Sequence, residues 1–121
     1  MLWPPKKPLV GADINRNSLV LKIRHDEKSM LLMGDAGVEA EHTLLKEGKL
    51  GVVDLLIVGH HGADDATSKD FLEIVQPKEA VISTNADNFR GYPSSDVLKR
   101  LEAAKVKVYR TALEGELAFE F

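Results

Sequence analysis

Three short clusters hold most of the residues in this chain whose types could do chemistry. Gly34-Asp35 places a carboxylate after an apolar run. Gly59-His60-His61-Gly62 places two imidazoles after a second such run, and Ser83–Pro93 (STNADNFRGYP) places Asn85, Asp87, Asn88 and Arg90 after a third. A carboxylate beside a glycine can ligate a hard or borderline cation, or it can cap the helix that follows. Neighbouring residues of an extended segment point to opposite sides, so one histidine can face a metal while the other faces a substrate or supports the first. The flanking glycines let the backbone turn sharply. The third cluster can bind phosphate, hold the other loops together, or make ordinary turns.

The remaining histidines read differently. His25 ends a hairpin strand and His42 lies on a helix among acids, so both are expected at the surface. The chain has no cysteine, which excludes disulfides, thiolate metal sites and cysteine nucleophiles. P-loop, G-x-G-x-x-G and G-x-S-x-G motifs are absent.

The elements that must position these clusters follow from hydrophobic periodicity. Residues 1–17 read as a connector, with Pro4, Pro5, Pro8 and Gly11 favouring extended or turn conformations. Leu19, Leu21 and Ile23 alternate with polar neighbours as in a half-buried strand. After the polar turn Asp26-Glu27-Lys28, residues 29–33 form the second arm of a hairpin. A helix is expected over residues 39–47, stopped by Gly48. Residues 52–58 read as a strand buried on both faces. Ser68 caps a helix that Pro77 ends, residues 79–83 form another strand, and Ser94 or Ser95 caps a helix to about residue 104. Residues 106–110 and 116–121 (ELAFEF) alternate as two last strands. The expected order is β-β-α-β-α-β-α-β-β, an α/β fold with a mixed sheet and helices packed on it. In such folds the loops after strands gather at one sheet edge, where sites form.

The 121 residues are one domain's length, with 44% hydrophobic and 29% charged residues, an ordinary globular composition. No apolar run approaches the roughly 18 residues that span a bilayer, so a soluble chain without membrane contact of its own is expected. The net charge is −3. Five cations stand against Asp13 alone in residues 1–25, whereas nine acids stand against three lysines in residues 35–73. A global basic field for nucleic acid is missing. The acidic middle is either a solvated face or a cation site.

Asn15 with Asn17–Leu21, then Leu31–Gly37 (LLMGDAG), Asp54–Gly62 (DLLIVGHHG), Pro77–Ser83 (PKEAVIS) and Asn88–Pro93 (NFRGYP) form an ordered set. The set resembles the metallo-β-lactamase-like domain of ComEC-type DNA-internalisation competence proteins. The likeness runs over nearly the whole chain and covers the second half of that domain. It implies half of an αββα sandwich over residues 18–121, with a binuclear zinc or manganese hydrolase centre in the full domain. It also implies that Asp35 is the carboxylate bridging the metals, His61 the late histidine ligand, and His60 its catalytic, substrate-side neighbour. The first-half H-x-H-x-D-H motif of the family is absent, because histidine occurs only at positions 25, 42, 60 and 61. Ala63 stands where the family usually has serine, and Tyr92 where it usually has histidine before proline.

The resemblance therefore implies a part of a DNA-uptake protein whose full domain hydrolyses or processes DNA phosphodiesters. The parent is expected in the bacterial cell membrane with this domain outside the cytoplasm. Its expected partners are DNA and the remainder of the domain. One carboxylate and one imidazole fall short of the three or four ligands a site needs, so this chain alone should bind metal weakly or not at all and should not turn over. The alternative is a non-catalytic docking module: a half sandwich exposes a sheet face, around Leu19, Leu21 and Ile23, that a second copy or another protein could cover.

Overall fold

A computed structural model describes residues 1–7, 10–11 and 14–120. The hairpin forms from β1 (Leu21–His25) and β2 (Lys28–Leu32). Then follow α1 (Val38–Lys46), β3 (Leu55–Ile57), α2 (Lys69–Val75), β4 (Glu79–Ile82), α3 (Ser95–Ala103), β5 (Lys107–Arg110) and the single turn α4 (Thr111–Glu114). The strands lie in sequence order in one five-stranded sheet. β1 runs antiparallel to β2, and β2 to β5 are parallel. Crossovers between neighbouring parallel strands are right-handed almost without exception, so α1, α2 and α3 pack on the same face.

The burial pattern agrees. Leu31, Leu56 and Ala80 are in register across β2, β3 and β4, and all three are fully buried. They join Ala40 and Leu44 of α1, Phe71 and Val75 of α2, and Val97 and Leu101 of α3 in one core. The opposite parity forms a second face. Leu21, Met30, Leu32 and Ile57 there are half-buried, and Ile23 is exposed. Leu55 and Val81 are buried on that face but belong to no part of the helix-side core.

Local signals explain most boundaries. The Ser68 hydroxyl accepts from the Phe71 amide and that of Ser94 from the Val97 amide, so both helices start on a side-chain cap. Gly48, with φ 64°, takes the left-handed position after α1. The opening segment packs on the domain: Trp3 is buried, bridges Val20, and donates its indole N–H to the Arg16 carbonyl at 2.7 Å.

Two expectations are corrected. The strand expected over residues 52–58 spans only Leu55–Ile57, because Val52 is exposed and the Val53 amide bonds to Val75 outside the ladder. The strand expected over residues 116–121 is not formed over its described residues, 116–120. Thr111–Glu114 coils into α4, and the chain then crosses the second face. Phe119 packs edge-on against Tyr109 at 5.4 Å, and Lys28 Nζ donates to the Glu120 carbonyl at 3.1 Å. The apolar alternation there reflects packing on the sheet, not pairing within it. Phe121 lies outside the described residues.

Candidate functional site

The parallel strands β2, β3 and β4 deliver the three clusters to the same edge. Close backbone approaches lock the clusters together. The His60 amide donates to the Gly34 carbonyl at 2.8 Å, and the Ser94 amide to the Gly62 carbonyl at 2.8 Å. The Asp35 amide donates to Ser18 Oγ at 2.8 Å. A Cβ on Gly59 would lie 2.6 Å from the Ala36 carbonyl oxygen. One on Gly62, whose φ is 78°, would lie 2.7 Å from Pro93 Cβ. His60 (φ 48°, ψ 40°) and His61 (φ 56°, ψ 22°) both adopt left-handed backbone. For non-glycine residues this costs about 1–2 kcal/mol each, and the surrounding locks maintain it.

That backbone sends the two rings to different tasks. His61 Nδ1 lies 2.7 Å from the Ser83 carbonyl oxygen. A carbonyl only accepts, so Nδ1 carries a proton. Nε2 faces Asp35 Oδ1 at 3.3 Å. A lone pair and a carboxylate oxygen attract one another only with a proton or a cation between them. A ring held by a carbonyl on one nitrogen, with the other nitrogen presented beside a carboxylate, is the arrangement of metal-ligating histidines.

His60 is more sheltered, and its side chain is 15% exposed. Its Nδ1 donates to Asp65 Oδ1 at 3.0 Å, and Asn15 Nδ2 lies 3.4 Å from its Nε2. Tyr92 packs against the ring at 5.8 Å between centroids. The structure thus brings Asp35 and His61 together and sets His60 beside them. All three line a cavity of about 770 Å³ whose far wall is the Ser83–Pro93 loop. In that loop Asn88 is a brace. Its Nδ2 donates to the carbonyls of Asn85 and Tyr92, and its Oδ1 accepts from the Tyr92 amide. Asn85, Asp87 and Arg90 line the cavity as well.

Asp35 does not cap α1. Gly37 occupies the N-cap position, with no side-chain cap hydrogen bond. His25 and His42 are exposed. Two supporting residues escaped the sequence reading. Asp65 holds His60, and its only trace in the sequence is a carboxylate a few residues beyond a histidine pair. Glu41 is 1% exposed on α1 and accepts from the Thr67 and Ser68 amides, at 2.5 and 2.9 Å. Burial pushes its carboxyl above the ordinary range, against the pull of those amides and of Arg100. Arg100 donates to the carbonyls of Thr67 and Ala66. Together they hold the loop that leaves the histidine pair.

The donors present do not make a complete metal centre. Among the described residues, no group of three or more histidine, cysteine, aspartate or glutamate side chains could hold a metal ion. Asp35 and His61 are two donors whose nearest atoms lie 3.3 Å apart. No described helix is long and apolar enough to cross a membrane.

No protein-family model matches the chain. It is 36% identical over 117 residues to Recombination protein 2 of Haemophilus influenzae, covering 97% of this chain and 14% of that protein. It is 33% identical over 110 residues to ComE operon protein 3 of Bacillus subtilis, covering 91% of this chain and 14% of that protein. To Competence protein ComA of Neisseria gonorrhoeae it is 34% identical over 110 residues, covering 88% of this chain and 16% of that protein. The chain therefore spans about one seventh of the length of the first two of these relatives. Along nearly all of its own length, it is similar to a segment of much longer proteins, competence-related among them.

Proposed function

We propose that this chain serves in competence, the uptake of DNA for transformation, as the second half of a metallo-β-lactamase-like domain. In this reading Asp35 and His61 are part of a metal-dependent phosphodiester hydrolase centre of zinc or manganese, and His60 is its substrate-side base. The observation that carries the reading is the His61 geometry: Nδ1 tied to Ser83 at 2.7 Å, Nε2 turned to Asp35 at 3.3 Å. The similarity to competence proteins supplies the biological setting. The remaining ligands come from the other half of the domain, which seats on the sheet face that α1, α2 and α3 leave open. Asp65 fixes which His60 nitrogen carries the proton and so leaves Nε2 to take one. The chain alone is inactive, for want of ligands.

Calorimetric titration of the EDTA-stripped chain with zinc and with manganese tests this, alongside His61→Ala. Binding on the order of millimolar that vanishes in the variant is expected of half a site. Manganese-dependent DNA cleavage by the chain alone, lost in His61→Ala, would overturn the half-site reading.

A second reading rests on the open sheet face. Leu21, Met30, Leu32 and Ile57 are half-buried, and Ile23 is 42% exposed, on a sheet covered by helices on its other side only. In this reading the chain is a docking module that pairs with itself or with a partner protein. A clean monomer by size exclusion at high concentration counts against self-pairing.

A further inference from the structure

We infer that the tip of the Ser83–Pro93 loop is a stacking platform that admits single-stranded nucleic acid to the site and disfavours a closed duplex. The inference deepens the proposed function and rests on it for the reaction, but not for binding. Phe89 is 92% exposed, the largest exposure of any aromatic ring among the described residues whose exposed apolar side chains stand out. It sits at the rim of the cavity that holds Asp35, His60 and His61. The Asn88 brace, with three hydrogen bonds inside the loop, builds the turn that presents it. Full exposure of a phenyl ring forgoes about 2 kcal/mol of burial, which an ordinary turn has no need to do.

The surroundings of Phe89 indicate what it takes. The Arg90 guanidinium lies 5.7 Å from the ring centroid, and no carboxylate among the described residues pairs with it. An aromatic face with an unpaired guanidinium beside it suits a flat base joined to a phosphate. Tyr92 and His60, whose ring centroids lie 5.8 Å apart, line the same cavity. A base can reach the Phe89 face only when it is unstacked from its neighbours, which a duplex does not offer without melting.

Fluorescence anisotropy with the full 121-residue chain in EDTA tests the inference, using a labelled oligothymidylate and a hairpin duplex of equal length. EDTA removes any dependence on the metal site. Tighter binding of the single strand is expected. Phe89→Ala should weaken that binding roughly tenfold while Phe89→Trp retains it. Arg90→Gln should lower the salt slope of binding by roughly 0.7. Ile74→Ala, an exposed apolar residue on α2, should change nothing. Unchanged affinity in Phe89→Ala, or equal affinity for duplex and single strand, would overturn the inference. The two proposals fail separately. Loss of cation binding at Asp35 and His61 is read by calorimetry, and loss of stacking by anisotropy in EDTA.

Discussion

Asp54 and Asp35 sit at opposite ends of the same parallel strands, and the sheet treats them in opposite ways. At the entry to β3, Asp54 is surrounded by donors. Lys78 Nζ lies 2.6 Å from Oδ1, and the Ser29 amide donates to Oδ2 at 2.8 Å. Its backbone carbonyl accepts from the Lys78 and Glu79 amides. The Lys78 and Ser29 donors hold its carboxyl below the ordinary range, Lys78 foremost. At the exit of β2, Asp35 has its own amide fixed by Ser18, while its carboxylate faces His61 Nε2 at 3.3 Å. One end of the sheet closes its polar groups on each other; the other fixes the backbone of a carboxylate through Ser18 and turns its oxygen toward an imidazole nitrogen.

Breaking the backbone locks of the exit end should have the largest effect. Gly62→Ala combines left-handed backbone with a contact to Pro93, and should cost about 3 kcal/mol. Urea unfolding reads this as a fall in midpoint at constant slope. Glu41→Gln leaves one of two buried amides without its acceptor and should cost about 1–3 kcal/mol. Burial raises the Glu41 pKa, so the charged form is the disfavoured one in the folded state. Its contribution is complete below the ordinary glutamate value of 4.5 and declines as pH rises through the raised value. The stability gap between wild type and Glu41→Gln should therefore narrow with rising pH.

Asp54→Asn probes the entry end. Its lowered pKa makes the stabilisation present above the ordinary aspartate value of 3.8 and lost as pH falls through the folded value. The variant should be slightly less stable at neutral pH and should show a flatter acid limb in acid-denaturation curves. Asp35→Asn should have the smallest effect on stability, or a slight gain. The amide Nδ2 can donate to His61 Nε2, in place of the contact the carboxylate makes there. Equal or raised thermal stability, together with loss of cation binding, is the expected pair of results. A large loss of stability would make Asp35 a structural group like Asp54 and erase the contrast.

Much of this was legible in the sequence, for local reasons. Period-two and period-3.6 patterns, the Ser68 and Ser94 caps, and Gly48 found the hairpin, the three long helices and the strands through β5. The clusters at residues 34–35, 59–62 and 83–93 were legible because strand ends followed by glycine and polar residues are visible in one dimension. What could not be read depends on contacts between segments distant in the chain. ELAFEF alternates as a strand does, but Phe119 packs on Tyr109 and the segment crosses the sheet without pairing. Glu41 lies in a run of helical acids and looks solvated, yet it is buried because Thr67 and Ser68 come to meet it. The left-handed backbone of His60 and His61 leaves no mark on residue type. It decides which ring turns to Asp35, and spacing alone left that open.

In the proposed function, Asp35 and His61 share one cation position that this chain does not complete. Paramagnetic broadening by manganese in the amide NMR spectrum tests it most directly. Broadening should begin at Gly34–Ala36 and Gly59–Gly62, at manganese concentrations on the order of millimolar, and disappear in both Asp35→Asn and His61→Ala. Broadening that starts elsewhere along the acidic middle, or that survives both substitutions, would contradict it.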